Sequence, residues 1–274
     1  MTTSSAVDSD AIFTRNGNSV VFNQLGVKLE LDSNVTDESY YAWLDEMIKR
    51  IGTLVAGAQI AEKSYARTEP RLNTGVYYDT LDRKLLRSGA VLRTTCNVKT
   101  HAFCAFKAPT DQENVRRDHR YIFEGEEKAM IQSAPRSPSS FAIVRQLLGR
   151  TDIDQPGVHL LRSYGIRGDD LTPSICIEQY RHPFYVWLDK KDALRCTMDR
   201  AYVSDMRHPS AENDGKLFSE IELPLFPRIE STVARDPRTV RLMEVLSASL
   251  ADQFGTRATS DNKYQRAAKT LGIT

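Results

Sequence analysis

The sequence predicts an α+β fold in which an antiparallel barrel or curled sheet carries a few helices. Three observations predict it. Short segments rich in β-branched and aromatic residues recur at even spacing, separated by Asp, Gly, Asn and Pro. There is no strand–helix–strand alternation of the kind a parallel sheet requires. Arg, Lys and Glu recur inside segments that otherwise read as half-buried strands, whose polar face normally meets solvent.

Residues 1–18 read as a flexible tail. A strand starts at Val20, is interrupted near Gly26 and continues over Val27–Leu31. Thr36 or Asp37 then caps a helix in which Tyr41, Leu44, Ile48, Ile51 and Val55 recur at helical spacing, and Gly57 ends it. Strands follow at Val76–Thr80, Val91–Val98, Ala102–Ala108 and Arg120–Phe123. Helices over Glu126–Ser133 and Ser139–Leu148 interrupt the run. Further strands are expected at His159–Tyr164, Ser174–Arg181, Tyr185–Leu188, Leu194–Asp199 and Phe218–Pro224, before an amphipathic helix over Thr239–Phe254. Asp152–Gly157 and Met206–Gly215 read as surface loops. The polar last twenty residues are either loose or docked. One domain over residues 19–256 is expected, with 257–274 as a C-terminal tail.

Composition excludes several classes. The 274 residues are 41% hydrophobic and 27% charged, with a formal net charge of +1, so the total gives no reason to expect DNA as a partner. No apolar run has the length of a membrane helix, and Met1–Asp10 lacks the pattern of a secretory signal. The cytoplasm is the expected compartment. Cys96, Cys104, Cys176 and Cys196 form no C-x-x-C pair and read as small buried hydrophobes. No Walker A, G-x-S-x-G or H-E-x-x-H pattern occurs. The five histidines are dispersed; His101 and His119 could reach a phosphate but read as surface residues.

The charges inside strands carry the functional signal. Lys28, Glu30 and Asp32 are spaced by two and share a face, as do Glu220 and Glu222. Arg93, Lys107, Arg181 and Arg195 each sit in an apolar segment, and Glu124 follows Arg116, Arg117 and Arg120. One by one these could be solvated cross-strand pairs. Together, in a sheet that closes, they would make a wet and charged interior. A polyanion suits such an interior, because Arg grips phosphate oxygens with a planar fork. Paired carboxylates add the oxygen ligands that Mg²⁺ or Mn²⁺ prefers.

Several of these segments, in this order, resemble the CYTH or triphosphate tunnel metalloenzyme superfamily. Tyr77-Tyr78-Asp79-Thr80, with Asp82, Leu85 and Gly89-Ala90-Val91-Leu92-Arg93, is similar to its Y-Y-D-T…L-R signature. Phe106-Lys107 resembles the next strand, with its substrate-binding Lys, and Arg120–Glu126 an R-x-E-x-E-like strand. Gly215 to Glu222 resembles the late G-x-F-x-E-I-E strand. The Arg181 and Arg195–Asp199 stretches also resemble the polyphosphate-polymerase domain of the vacuolar transporter chaperone.

The resemblance implies a closed, eight-stranded antiparallel β-barrel with flanking helices, and divalent-metal-assisted chemistry on a triphosphate or polyphosphate. It implies Lys28, Arg93, Lys107, Arg120, Arg181 and Arg195 as substrate-binding residues. Glu30, Asp32, Glu124, Glu220 and Glu222 become metal ligands, and Glu30, Lys107 and Arg181 catalytic residues. Two departures stand out. The opening E-x-E-x-K is here Lys28-x-Glu30-x-Asp32, so that either Glu30 and Asp32 or Glu30 alone supplies the acid. Thr94 and Thr95 replace the second base after Leu92-Arg93. Three functions follow: triphosphate chemistry with hydrolysis foremost, non-catalytic binding of polyphosphate or nucleotide, and polyphosphate synthesis.

Overall fold

A computed structural model describes residues 13–62, 67, 70–110, 115–210 and 214–273. Eleven strands pair in one sheet: β1 (Phe13–Asn16), β2 (Ser19–Leu31), β3 (Ala58–Glu62), β4 (Arg71–Asp79), β5 (Val91–Asn97), β6 (Ala102–Pro109), β7 (Val115–Ile122), β8 (Thr172–Leu188), β9 (Lys191–Asp205), β10 (Asp214–Pro224) and β11 (Arg257–Ala258). Eight of them close a ring in the order β2-β10-β9-β8-β4-β5-β6-β7 and back to β2, every pair antiparallel. The closed eight-stranded barrel implied by the sequence motifs is the one observed.

Side chains alternate between the two faces of each strand, and the helices cover the outer face. The helices α1 (Asp37–Leu54) and α7 (Pro237–Phe254) pack on β2, β8, β9 and β10 through Tyr40, Leu44, Met47, Leu242 and Leu246, against Phe184, Val186, Met198 and Ile221. The Thr36 hydroxyl accepts the Ser39 N–H at 3.2 Å, and Asp37 and Glu38 sit in the first turn of α1, where negative charge suits the helix dipole. Opposite, α3 (Gly125–Ser133), α4 (Pro138–Gly149) and α5 (Pro156–Tyr164) cover β4, β5 and β6 through Ile131, Val144, Leu147 and Leu160. The short helices α2 (Lys84–Ser88) and α6 (Ser231–Ala234) complete connections. No helix among the described residues is long and apolar enough to cross a membrane.

Local differences from the sequence reading have physical causes. His159–Tyr164, expected as a strand, lies in α5. Pro156 opens that helix, the Gln155 side chain accepts the Gly157 N–H at 2.6 Å, and Gly165 ends it in the left-handed region. β2 runs unbroken through Gly26, whose missing side chain lets the Pro224 backbone approach. The two strands expected around Pro183 are one, β8. Pro183 tolerates the sheet because β4 pairs with β8 only as far as Arg181, and β3 takes over at Phe184. Residues 1–12 of the expected tail lie outside the described residues, whereas Phe13–Asn16 pairs with β2.

Of the two readings of the C-terminus, the structure shows docking. Lys263–Leu271 forms α8, opened by a reciprocal capping pair between Asn262 and Gln265. Its apolar residues Tyr264, Ala267, Ala268 and Leu271 pack against Tyr77, Ile175, Ile177, Ala201, Val203 and Phe218. By strand alternation those partners share the inward face with Arg181, Asp199 and Glu220. α8 therefore fills one end of the barrel lumen.

Candidate functional site

Beyond α8 the lumen holds a cavity of about 350 Å³. Its described wall carries nine bases and one acid, Glu222. The six expected substrate-binding residues, Lys28, Arg93, Lys107, Arg120, Arg181 and Arg195, all line it, joined by Arg71, Arg116 and Lys263. Seven ring strands and α8 thus each contribute at least one cation. Such convergence follows from strand alternation once the sheet closes.

Behind this wall lie three further acids, each buried. Asp118, on β7, accepts from Arg120 at 2.7 and 3.1 Å and pairs with Lys107 at 3.0 Å. Burial alone would raise its carboxyl, but Arg120 and Lys107 outweigh that and hold it well below the ordinary carboxylate range. Burial, with Arg93 and Arg120 nearby, pushes the Lys107 ammonium down to about 7 against the pull of Asp118. The Lys107 ammonium also donates to Gln24 at 2.6 Å.

The other two, Asp199 and Glu220, meet Glu222 in one cluster. Arg181 donates to Asp199 at 2.9 Å and to Glu222 at 3.2 Å. Lys263 lies 2.8 Å from Asp199 and 2.9 Å from Glu222, and also contacts Glu220. Arg266 bonds the other Glu220 oxygen at 2.9 Å. Burial would raise Asp199 and Glu222, yet the surrounding cations hold both below their usual range.

Four acids do not cancel nine lining bases. The side chains of Lys28 and Arg195 make no hydrogen bond or ion pair with any described residue. The Nε of Arg93 is buried without a partner, although its Nη1 donates to the Tyr77 hydroxyl at 2.9 Å. Arg120 is held between the rings of Phe22 and Phe103, 4.6 Å from each centroid, while its Nε and Nη2 engage Asp118. His101 lines the same cavity and is pushed down to about 4 by burial and by Arg120, Arg195, Arg181 and Arg71. His119 stacks instead on His159 at 3.6 Å.

The expected metal ligands divide. Glu220 and Glu222 come together. Glu30 pairs across from Glu220 but stands at the rim, its side chain 47% exposed and 3.8 Å from Arg266. Asp32 lies beyond it, exposed, accepting the Asn34 N–H in a turn. Glu124 is exposed at the start of α3. The strand that carries Lys28 into the lumen simply leaves the barrel before Asp32. Asp118, Lys263 and Arg266 were not anticipated, nor was Asp199 as an acid of the cluster. The Tyr264, Ala267, Ala268, Leu271 spacing and the Asn262–Gln265 pair are the signals that could have revealed α8.

No protein-family model matches this sequence, and comparison with curated proteins finds no relative. Solved structures do resemble it. A putative adenylate cyclase from Bacillus halodurans superposes with a TM-score of 0.50 at 13% identity, covering 89% of this chain and 97% of that one. An adenylyl cyclase-like protein from Hippeastrum, described as having a dominant triphosphatase activity, gives 0.49 at 14% identity, with coverage of 92% and 97%. The RNA triphosphatase domain of a mimivirus mRNA capping enzyme gives 0.31 at 7% identity, with coverage of 85% and 92%. The likeness of fold rests on the first of these.

Proposed function

We propose that this chain binds a triphosphate, free or as part of a small molecule, inside the barrel and cleaves a phosphoanhydride bond there. The observation that carries this reading is the cavity of about 350 Å³ with nine bases and one acid in its described wall. Cations brought so close repel one another in a medium of low dielectric, and a linear polyanion relieves that repulsion along its whole length. Arg93, Arg120 and Arg181 would meet non-bridging oxygens with the guanidinium N–H groups not already given to Tyr77, Asp118, Asp199 and Glu222. Phosphoryl transfer asks the protein mainly to align the chain and to neutralise charge that develops on the leaving group. In this reading Arg181 and Arg93 do that work. Lys107 is the lumen group that exchanges a proton near neutral pH.

Mg²⁺ or Mn²⁺ is the cofactor that the sequence motifs imply. Asp199, Glu220 and Glu222 supply the right donor type, but the Lys263 ammonium stands at their centre. The cluster does not fit a metal ion while that side chain is in place.

A second reading, a non-catalytic receptor for the same polyanion, is favoured by that same neutralised cluster. Incubation with tripolyphosphate or ATP, with products resolved by ion exchange, separates the two. Release of phosphate or pyrophosphate supports hydrolysis. Tight binding without product supports the receptor, and absence of binding sinks both.

A further inference from the structure

We infer that the Lys263 ammonium is the permanent resident cation of the Asp199–Glu220–Glu222 cluster, which therefore takes no divalent ion in this protein. This goes beyond the proposed triphosphate reading and does not rest on it.

The argument starts from the six carboxylate oxygens. Arg181 holds one oxygen of Asp199 and one of Glu222, at 2.9 and 3.2 Å. Arg266 holds one of Glu220, at 2.9 Å. Lys263 contacts the remaining three, at 2.8 Å for Asp199 and 2.9 Å for Glu222, with Glu220 as its third partner. Every oxygen has a cationic partner, and three acids face three cations. Asp199 Oδ2 and Glu220 Oε1 are buried and receive no hydrogen bond of ordinary geometry, so the ion-pair contact with the ammonium is what neutralises them. A divalent ion would have to displace the ammonium from these oxygens, and with the ammonium in place it would add two positive charges to a neutral, buried group.

The ammonium also cannot step aside cheaply. Lys263 is the first residue of α8. Directly before it, the Asn262 side chain donates to the Gly89 carbonyl at 3.0 Å and caps the helix. Directly after it, the buried Tyr264 hydroxyl donates to Asp79 at 3.0 Å, and lies 2.9 Å from Ser174 Oγ, while its ring stacks on Tyr77 at 5.2 Å. Ala267, Ala268 and Leu271 are buried against the inner wall. The backbone that carries Lys263 is thus held in the barrel, and rotating its side chain out of the cluster would leave buried carboxylates without their cation. The cluster is a knot of ion pairs that fastens α8 to β9 and β10.

Mn²⁺ titration of the full-length chain, followed by electron paramagnetic resonance without triphosphate present, tests this. Wild type should show no bound Mn²⁺ that Asp199→Asn removes. Lys263→Ala should gain one bound Mn²⁺ on the order of tenfold tighter or more, together with a rise in Tm on adding the metal. Asp199→Asn in that background should abolish both. An Asp199-dependent Mn²⁺ site in wild type would overturn the inference, as would a folded Lys263→Ala protein that gains none. Should Lys263→Ala fail to fold, wild type against Asp199→Asn decides alone. Because no phosphate compound is present, the result is distinguishable from a failure of the triphosphate reading.

Discussion

The Lys107 ammonium lies 3.0 Å from the Asp118 carboxylate, at directly opposed positions of β6 and β7. Even with that partner, burial and two neighbouring arginines bring Lys107 down to about 7. Above that pH the empty site holds a neutral amine; a bound polyanion favours the charged form and raises its pKa. Binding at pH 8 should therefore take up a proton, and affinity should fall as pH rises above 7. Calorimetry in two buffers of different ionisation enthalpy measures the uptake. Lys107→Arg, permanently charged, should abolish it. Equal heats in both buffers for wild type would dispose of this linkage.

Arg93 lines the cavity, and its Nε is buried without a hydrogen-bond partner. Arg93→Ala should weaken tripolyphosphate binding about 10- to 100-fold, the loss of one charge-assisted contact of about 1.5–3 kcal/mol. Equilibrium dialysis reads it. Unchanged affinity would mean that the ligand does not reach this wall.

Asp79 ties two elements to the barrel. Its carboxylate accepts the N–H groups of Thr80, Leu85 and Leu86 at 2.8–2.9 Å and the Tyr264 hydroxyl at 3.0 Å. Asp79→Ala leaves buried donors unsatisfied and should cost about 2–5 kcal/mol in a denaturant titration. Hydrogen exchange should speed up in α8 as well as in α2. If only α2 responded, the bond to Tyr264 would not anchor the last helix.

Much of the fold was legible because closing a sheet does not change the grammar of its strands. Arg93, Lys107 and Arg181 stood out as bases in apolar segments, and all three face the lumen. The acids were harder to read. Asp118 sits among Arg116, Arg117 and Arg120, where a lone Asp looks like a solvent-exposed partner, and only the closed barrel shows it as wholly buried. Glu30 shares the face of Lys28, but spacing by two does not say where the barrel ends. Lys263 was hidden for a different reason. Its helix is short and polar overall, so its four apolar residues are visible only once a mould for them exists.

Gly26 provides a further check. A methyl group there would collide with the Cα of Pro224, on the neighbouring strand. Gly26→Ala should destabilise by about 1–3 kcal/mol, as overpacking does. Gly149→Ala, with nothing within 4 Å of the added carbon, serves as the neutral comparison. Similar melting temperatures for the two variants would show that β2 and β10 yield at this point.

A stoppered barrel sets rules for traffic. With α8 wedged into one end, the described residues leave the charged half no straight passage on that side, so in the proposed reading a ligand would back out by the opposite end. A long polyphosphate could offer only a terminus, never its middle, so trimming would proceed from the tip and each product would have to clear the doorway before the next molecule arrived.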